Sequence, residues 1–198
     1  CNYAAEDIFE AAKKICSITG TDKINILGWS MGTVMVTRFA ERHGDLINKM
    51  VLYAPILAGL KERTITDSYC LPLWRHAVSD FQKTADGEVD YNIVEKEVVL
   101  TYISNCWKYD GTGSPAGVRK DLFSGTETYL ISTEKLGTVP TYVIYGENDG
   151  YIRKDLMKNI QPSEMLRIKS IPGASHVMLI EKPFYKEFQE SILKFLKS

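Results

Sequence analysis

The feature that most constrains the fold is the stretch 24–33, in which an apolar run ends in a Gly-x-Ser-x-Gly turn. A pattern typical of an amphipathic helix follows at once. A strand that must enter a helix within so few residues forces Ser30, at the centre of the turn, into a strained backbone conformation that lifts its side chain clear of the sheet. We expect a Cβ at either flanking glycine, Gly28 or Gly32, to crowd the neighbouring strand or helix.

Short apolar runs alternate with helical patterns on both sides of this turn. The spacing predicts helices over 4–19, 31–43, 153–160 and 184–196, and buried strands over 24–27, 50–54, 141–145 and 166–171. Such alternation is typical of parallel strands joined by helices. The predicted fold class is therefore α/β, with a mostly parallel sheet flanked by helices.

Residues 56–137 interrupt the alternation. They contain Trp74, Trp107 and several tyrosines, and an apolar face over 91–107 predicts a helix there. These features favour an inserted, mostly helical cap over a site. The predicted division is a core made of 1–55 and 138–198 and a cap made of 56–137.

Composition excludes several classes of function. The formal net charge is −1 without a strong basic run, which argues against nucleic acid as a partner. No apolar run approaches the length of a membrane span, and no signal-peptide pattern opens the chain. The four cysteines and three histidines show neither metal-ligand spacing nor a CxxC motif, so we expect no metal, and free thiols in a reducing, cytoplasmic compartment.

Three side chains that suit nucleophilic catalysis follow three of the predicted strands, in the order Ser30, Asp149 and His176. A serine hydroxyl needs a base to take its proton, and the base needs an acid to fix its tautomer. The carboxyl ends of parallel strands line one crevice, where the three can converge. Glu147 stays open as the alternative acid. His43, at a helix end, is expected to be structural. His76, in the predicted cap, is expected to be a surface or structural residue.

The same residues carry a resemblance to the α/β-hydrolase family. Residues 28–32 resemble its nucleophile elbow, 145–149 its strand-end Gly-x-x-Asp, and 173–176 its Gly-x-x-His loop with a downstream Glu-Lys-Pro at 181–183. The resemblance covers nearly the whole chain outside the cap. Ser30 in place of aspartate separates the chain from the dehalogenase and epoxide-hydrolase branches.

The resemblance implies a serine hydrolase that cleaves an ester, thioester or similar acyl bond of a small-molecule substrate through an acyl-enzyme. Ser30 would attack, His176 would act as base and then acid, Asp149 would orient His176, and the Met31 N–H would donate to the oxyanion. The family also implies a hydrophobic, non-acidic pocket under the cap. It implies neither a metal nor an organic cofactor.

The chain departs from the family pattern upstream of Ser30. Only 29 residues precede it, and the early strands and the loop that supplies the second oxyanion donor are missing from them. Either a further segment or a second chain completes the sheet, or this is a shortened homologue with altered or lost activity. The start at Cys1 rather than methionine favours the first interpretation. A non-catalytic binding protein on the same fold is the alternative function.

Overall fold

The computed structural model describes residues 2–57, 78–110 and 136–198. Helices and strands alternate along these residues. The helices are α1 (Asn2–Thr19), α2 (Met31–His43), α3 (Lys96–Asp110), α4 (Lys154–Met157) and α5 (Tyr185–Lys197), with short 3₁₀ turns at Gly44–Leu46 and Met178–Ile180. The strands are β1 (Ile24–Trp29), β2 (Ile47–Tyr53), β3 (Thr141–Gly146) and β4 (Leu166–Ile171).

The four strands form one parallel sheet in the order β1-β2-β3-β4. Gly28 of β1 is in register with Leu52, Leu52 with Val143, and Val143 with Ile168. The C-terminal ends of all four strands therefore lie on the same side of the sheet. This sheet confirms the predicted α/β class, and it brings the segments that follow β1, β3 and β4 to one side of the molecule.

The core lies around the two central strands. β2 from Met50 to Tyr53 and all of β3 except Tyr145 are buried, because each strand is paired on both sides and covered by helices. Helix α5 contributes Phe188, Ile192 and Phe195 to the core, as its helical spacing predicts. The ring of Phe188 lies 4.6 Å from the ring of Tyr53, at the end of β2.

Strand β1 is more exposed than its sequence predicts. Leu27, expected in the core, is 46% exposed, and Ile15 and Ile18 of α1 are 47% and 71% exposed. The reason is positional, since β1 pairs only with β2 in the described part of the chain and forms the sheet edge beside α1. The prediction that the strand 24–27 is buried is therefore wrong at Leu27.

Two predicted helices have other bounds than expected, and the first ends at Asp110, beyond its predicted end at 107. The helix predicted over 91–107 begins only at Lys96, because Asp90 holds a turn through its carboxylate, which accepts from Asn92 N–H at 2.9 Å. The helix predicted over 153–160 is a single turn, α4, followed by three-residue turns up to Ile160. Hydrogen bonding to local groups replaces the helical ladder in both places.

Part of the predicted cap, including Trp74 and His76, lies outside the described residues. The described part, 78–110, contains a turn-rich segment with an antiparallel bridge between Lys83 and Val89, followed by α3. It forms a second apolar cluster with the loop after β4. The boundaries 56–137 stay a prediction.

Candidate active site

The Ser30 turn has the strained geometry that the sequence predicts. Ser30 has φ 53° and ψ −122°, a left-handed backbone that a non-glycine residue rarely adopts. Its N–H donates to the Tyr53 carbonyl at 3.0 Å, and its carbonyl accepts from Thr33 N–H at 2.9 Å. The turn thus joins the end of β1 to the start of α2 and leaves the serine side chain partly exposed at the helix N-terminus.

The two glycines that flank Ser30 have different roles. A Cβ on Gly28 would lie 2.6 Å from both the Gly32 carbonyl oxygen and Val36 Cγ2, closer than real Cβ contacts. A Cβ on Gly32 would meet no heavy atom of the described residues within 4 Å. The expected crowding is therefore confirmed at Gly28 and wrong at Gly32, where the neighbouring strand is not within reach.

Thr33, which the sequence interpretation did not single out, stabilises the serine turn through its hydroxyl group. Its side chain is fully buried, and its hydroxyl donates to the Ser30 carbonyl at 2.5 Å. The Thr33 hydroxyl oxygen also accepts a hydrogen bond from Ile56 N–H at 3.2 Å. Thr33 therefore ties the serine turn to the segment after β2.

Asp149 and His176 are joined directly. His176 Nδ1 lies 2.7 Å from Asp149 Oδ2, and the two residues are 4% and 2% exposed. Because a carboxylate oxygen can only accept, Nδ1 carries the hydrogen, which leaves Nε2 as the acceptor for a further proton. The other carboxylate oxygen accepts from Tyr151 N–H at 2.8 Å, so both oxygens of Asp149 are occupied.

Glu147, the alternative acid, points to a different partner. Its Oε1 accepts from the Ser170 hydroxyl at 2.9 Å. Asp149 is therefore the carboxylate that contacts the candidate base. His43 lies on α2, stacked on the Phe9 ring at 4.0 Å between centroids, which fits the structural role expected for it.

Ser30 follows β1 and His176 follows β4, so both lie at the C-terminal ends of the parallel strands. Trp29, next to Ser30, donates its indole N–H to the His176 carbonyl at 3.1 Å, so the two loops are adjacent. In the described part of the chain no hydrogen bond links the serine hydroxyl to the imidazole. Hydrogen bonds between catalytic groups often tighten only when substrate is bound.

The Met31 N–H is the first amide of α2 and makes no backbone hydrogen bond within the described residues. The N-terminal amides of a helix lack intrahelical acceptors, and the helix dipole favours negative charge near them. This amide can therefore donate to an anionic oxygen beside Ser30. The described residues hold no metal-binding group of three His, Cys, Asp or Glu side chains.

A cavity of about 270 Å³ lies beside His176. Its lining is largely polar and comprises Ser79, Asp80, Phe81, Gln82, Asn148, Gly150, Tyr151, Ser175 and His176. The resemblance implied a hydrophobic, non-acidic pocket, and this cavity differs because the segment 78–82 contributes a carboxylate and an amide.

Within the described ranges no helix is long and apolar enough to cross a membrane.

The family model described as serine aminopeptidase, S33, matches residues 1–183 of this chain. The chain belongs to this family. It is an α/β-hydrolase, as the three motifs around Ser30, Asp149 and His176 indicated. The comparison with curated proteins gave no match.

Several solved structures share the fold. A bromoperoxidase from Bacillus anthracis is 20% identical, with a TM-score of 0.61 over 94% of this chain and 71% of its own. A peroxisomal α/β-hydrolase from Saccharomyces cerevisiae is 16% identical, with a TM-score of 0.57 over 98% of this chain and 61% of its own. A 2-hydroxy-6-oxo-6-phenylhexa-2,4-dienoate hydrolase from Rhodococcus sp. strain RHA1 is 14% identical, with a TM-score of 0.64 over 92% of this chain and 67% of its own. This chain thus spans about two thirds of their lengths.

Proposed function

We propose that this α/β-hydrolase is a serine hydrolase that cleaves an ester, thioester or similar acyl bond through Ser30, His176 and Asp149. The observation that supports it most is the buried 2.7 Å hydrogen bond between His176 Nδ1 and Asp149 Oδ2, at the sheet edge where the strained Ser30 turn also lies. A buried, oriented imidazole and a partly exposed serine hydroxyl at the same end of the sheet are groups that acyl transfer requires.

In the proposed reaction, Ser30 Oγ attacks the acyl carbonyl while His176 Nε2 takes the hydroxyl proton. Asp149 stabilises the resulting imidazolium, and the Met31 N–H donates to the oxyanion. The intermediate collapses as His176 returns the proton to the leaving alcohol or thiol, which leaves an acyl group on Ser30. Water then attacks the acyl-enzyme with His176 as base, and the acid product leaves with Ser30 regenerated.

The proposed substrate is a small acyl compound with a polar group near the scissile bond. The polar lining of the cavity beside His176, which includes Ser79 and Asp80, supports this choice. The free thiols of Cys16 and Cys106 agree with a reducing, cytoplasmic compartment, which we propose as the site of action.

The alternative is a binding protein on the hydrolase fold. It is favoured by the single oxyanion donor, Met31, that we identify in the described part of the chain, because loss of one donor costs about 10²–10³-fold in rate. It predicts ligand binding in the cavity without acyl transfer.

Intact-mass analysis after treatment of the full chain with a fluorophosphonate probe distinguishes the two. We expect one adduct on the wild-type chain, no adduct on Ser30→Ala, and an unchanged adduct on Ser163→Ala, which alters an exposed serine far along the chain. Hydrolysis of an activated ester should follow the same pattern. Folded wild-type chain without an adduct, or equal labelling of Ser30→Ala, would contradict the serine hydrolase.

A further inference from the structure

One glutamine outside the parallel sheet connects the two loops that carry Asp149 and His176. Gln82 Nε2 donates to the Gly173 carbonyl at 2.8 Å and to Glu181 Oε1 at 3.0 Å. Its Oε1 accepts from Asn148 Nδ2 at 3.3 Å. The segment before α3 thus reaches the residue preceding Asp149 and both ends of the loop 172–181, which we call the base loop because it contains His176.

Glu181 is the anchor of this contact. It is 1% exposed, and its carboxylate accepts from Ser175 N–H at 3.0 Å, from the Ser175 hydroxyl at 2.6 Å and from Gln82. In the described part of the chain it has no cation within ion-pair distance. A buried carboxylate without a cation depends on its hydrogen-bond donors, and Gln82 is the one donor of the three that lies outside the base loop.

Apolar packing brings the same segment and the base loop together. Val177, next to His176, is fully buried in a cluster with Phe81, Val94 and Val99. The Lys182 N–H donates to the Ile93 carbonyl at 2.8 Å. The segment 78–94 is therefore held against the base loop near both of its ends, at Phe81 and at Ile93 and Val94, and Gln82 lies where it can bridge the two loops.

We propose that Gln82 is a positioning residue for the serine hydrolase, acting through Glu181 and Ser175 to hold His176 in line with Asp149. The proposal rests on the function proposed above. Its removal leaves Glu181 Oε1 to the Ser175 hydroxyl and the Gly173 carbonyl to Asn148 Nδ2. It also takes the segment 78–94 out of the contact between the Asp149 loop and the base loop. The effect therefore falls on the chemical step more than on substrate binding.

Substitutions that exchange the side chains of Gln82 and Glu181 test the contact between them in the full chain. In Gln82→Ala we expect kcat for an activated ester to fall about tenfold while KM changes less than about twofold. Gln82→Glu places two carboxylates face to face and should lose about 100-fold at neutral pH. The double variant Gln82→Glu/Glu181→Gln restores a donor–acceptor pair and should recover most of kcat. Asp86→Ala, an exposed residue of the same segment, is the matched control.

A second readout does not depend on catalysis. The Ser175 amide donates to Glu181, so Gln82→Ala should speed its hydrogen exchange by about tenfold or more while the Val143 amide, in the central strand β3, is unchanged. The low-field signal of the His176 Nδ1 proton should broaden in the same variant. If the wild-type chain is not labelled by the fluorophosphonate, the proposed function fails, and these signals still decide the role of Gln82.

Two results would overturn the positioning role. The first is Gln82→Ala with wild-type kcat and wild-type exchange at Ser175. The second is a double variant whose loss in kcat equals the product of the two single losses, because independent residues give additive free energies.

Discussion

Trp29 donates its indole N–H to the backbone carbonyl oxygen of His176 over 3.1 Å. The hydroxyl of Tyr53 donates to the same oxygen at 2.6 Å. The last residues of β1 and β2 therefore both hold the backbone of the candidate base. The imidazole ring itself lies 5.6 Å from the Trp29 ring and 4.8 Å from the Tyr151 ring. The His176 position is thus set by the strand ends beside the serine turn as well as by Asp149.

Replacing Trp29 by phenylalanine removes the indole donor and keeps an aromatic ring. We expect the free energy of unfolding to fall by about 1 kcal/mol, the usual net contribution of one hydrogen bond. We also expect kcat/KM to fall about threefold to tenfold, because the His176 backbone gains freedom. Urea denaturation and ester hydrolysis measure the two effects.

A double-mutant cycle with Tyr53→Phe tests the shared carbonyl. Each single variant leaves one donor on the His176 oxygen, whereas the double variant leaves it buried and unpaired. The double variant should therefore lose more stability than the sum of the two singles. Simple additivity would show that Trp29 and Tyr53 act independently of this oxygen.

Asp149→Asn should lower kcat on the order of 10³–10⁴-fold with little change in KM. The asparagine amide can donate to His176 Nδ1 and so favour the tautomer that carries its proton on Nε2, which cannot accept from Ser30. Glu147→Gln is the matched control, since Glu147 bonds Ser170 and does not contact the imidazole. A loss of similar size in both variants would argue against Asp149 as the orienting acid.

The sequence predicts the strand-end residues of the site because their signals are local. Ser30, Asp149 and His176 each follow a short apolar run, and parallel strands bring their carboxyl ends together whatever the intervening chain does. The resemblance added their order. The contacts of Trp29 with His176 and of Gln82 with Glu181 were missed, because they join residues 147 and 99 positions apart, and no periodicity records such pairs.

Burial at the sheet edge was predicted less well for a related reason. Ile15, Ile18 and Leu27 have the spacing of core residues, yet they are among the exposed apolar side chains of the described chain. A pattern shows which face of an element is apolar, but what covers that face depends on the rest of the assembly.

The pKa of Tyr53 is raised above its ordinary value of 10.0, chiefly by burial of the phenol and also by the nearby charges of Asp149 and Glu181. Above about pH 10 the unfolded chain therefore releases this proton while the folded chain keeps it. The free energy of unfolding should then fall with rising pH, by up to about 1.4 kcal/mol per pH unit from this group. Below pH 10 the group causes no such slope.

Tyr53→Phe should remove that part of the alkaline slope. Urea denaturation at several pH values between about 9 and 11 measures the difference from the wild type. Burial also raises the pKa of Tyr142. Because Tyr142 is present in both proteins, its contribution to the pH dependence of stability cancels in the comparison. Tyr3→Phe controls for the substitution at a 90% exposed position. Parallel stability curves for the wild type and Tyr53→Phe would contradict the prediction.

The two glycines of the serine turn should respond oppositely to alanine. In Gly28→Ala the new Cβ meets the Gly32 carbonyl oxygen and Val36 Cγ2 at 2.6 Å, and backbone must move, which we expect to cost about 2–3 kcal/mol of the free energy of unfolding. Gly32→Ala adds a methyl group that meets no heavy atom of the described residues within 4 Å and removes a flexible residue from α2, so it should be neutral or stabilise by up to about 1 kcal/mol. Urea denaturation of both variants decides the point. Equal destabilisation would mean that the helix, and not the approach of β1 to α2, requires glycine here.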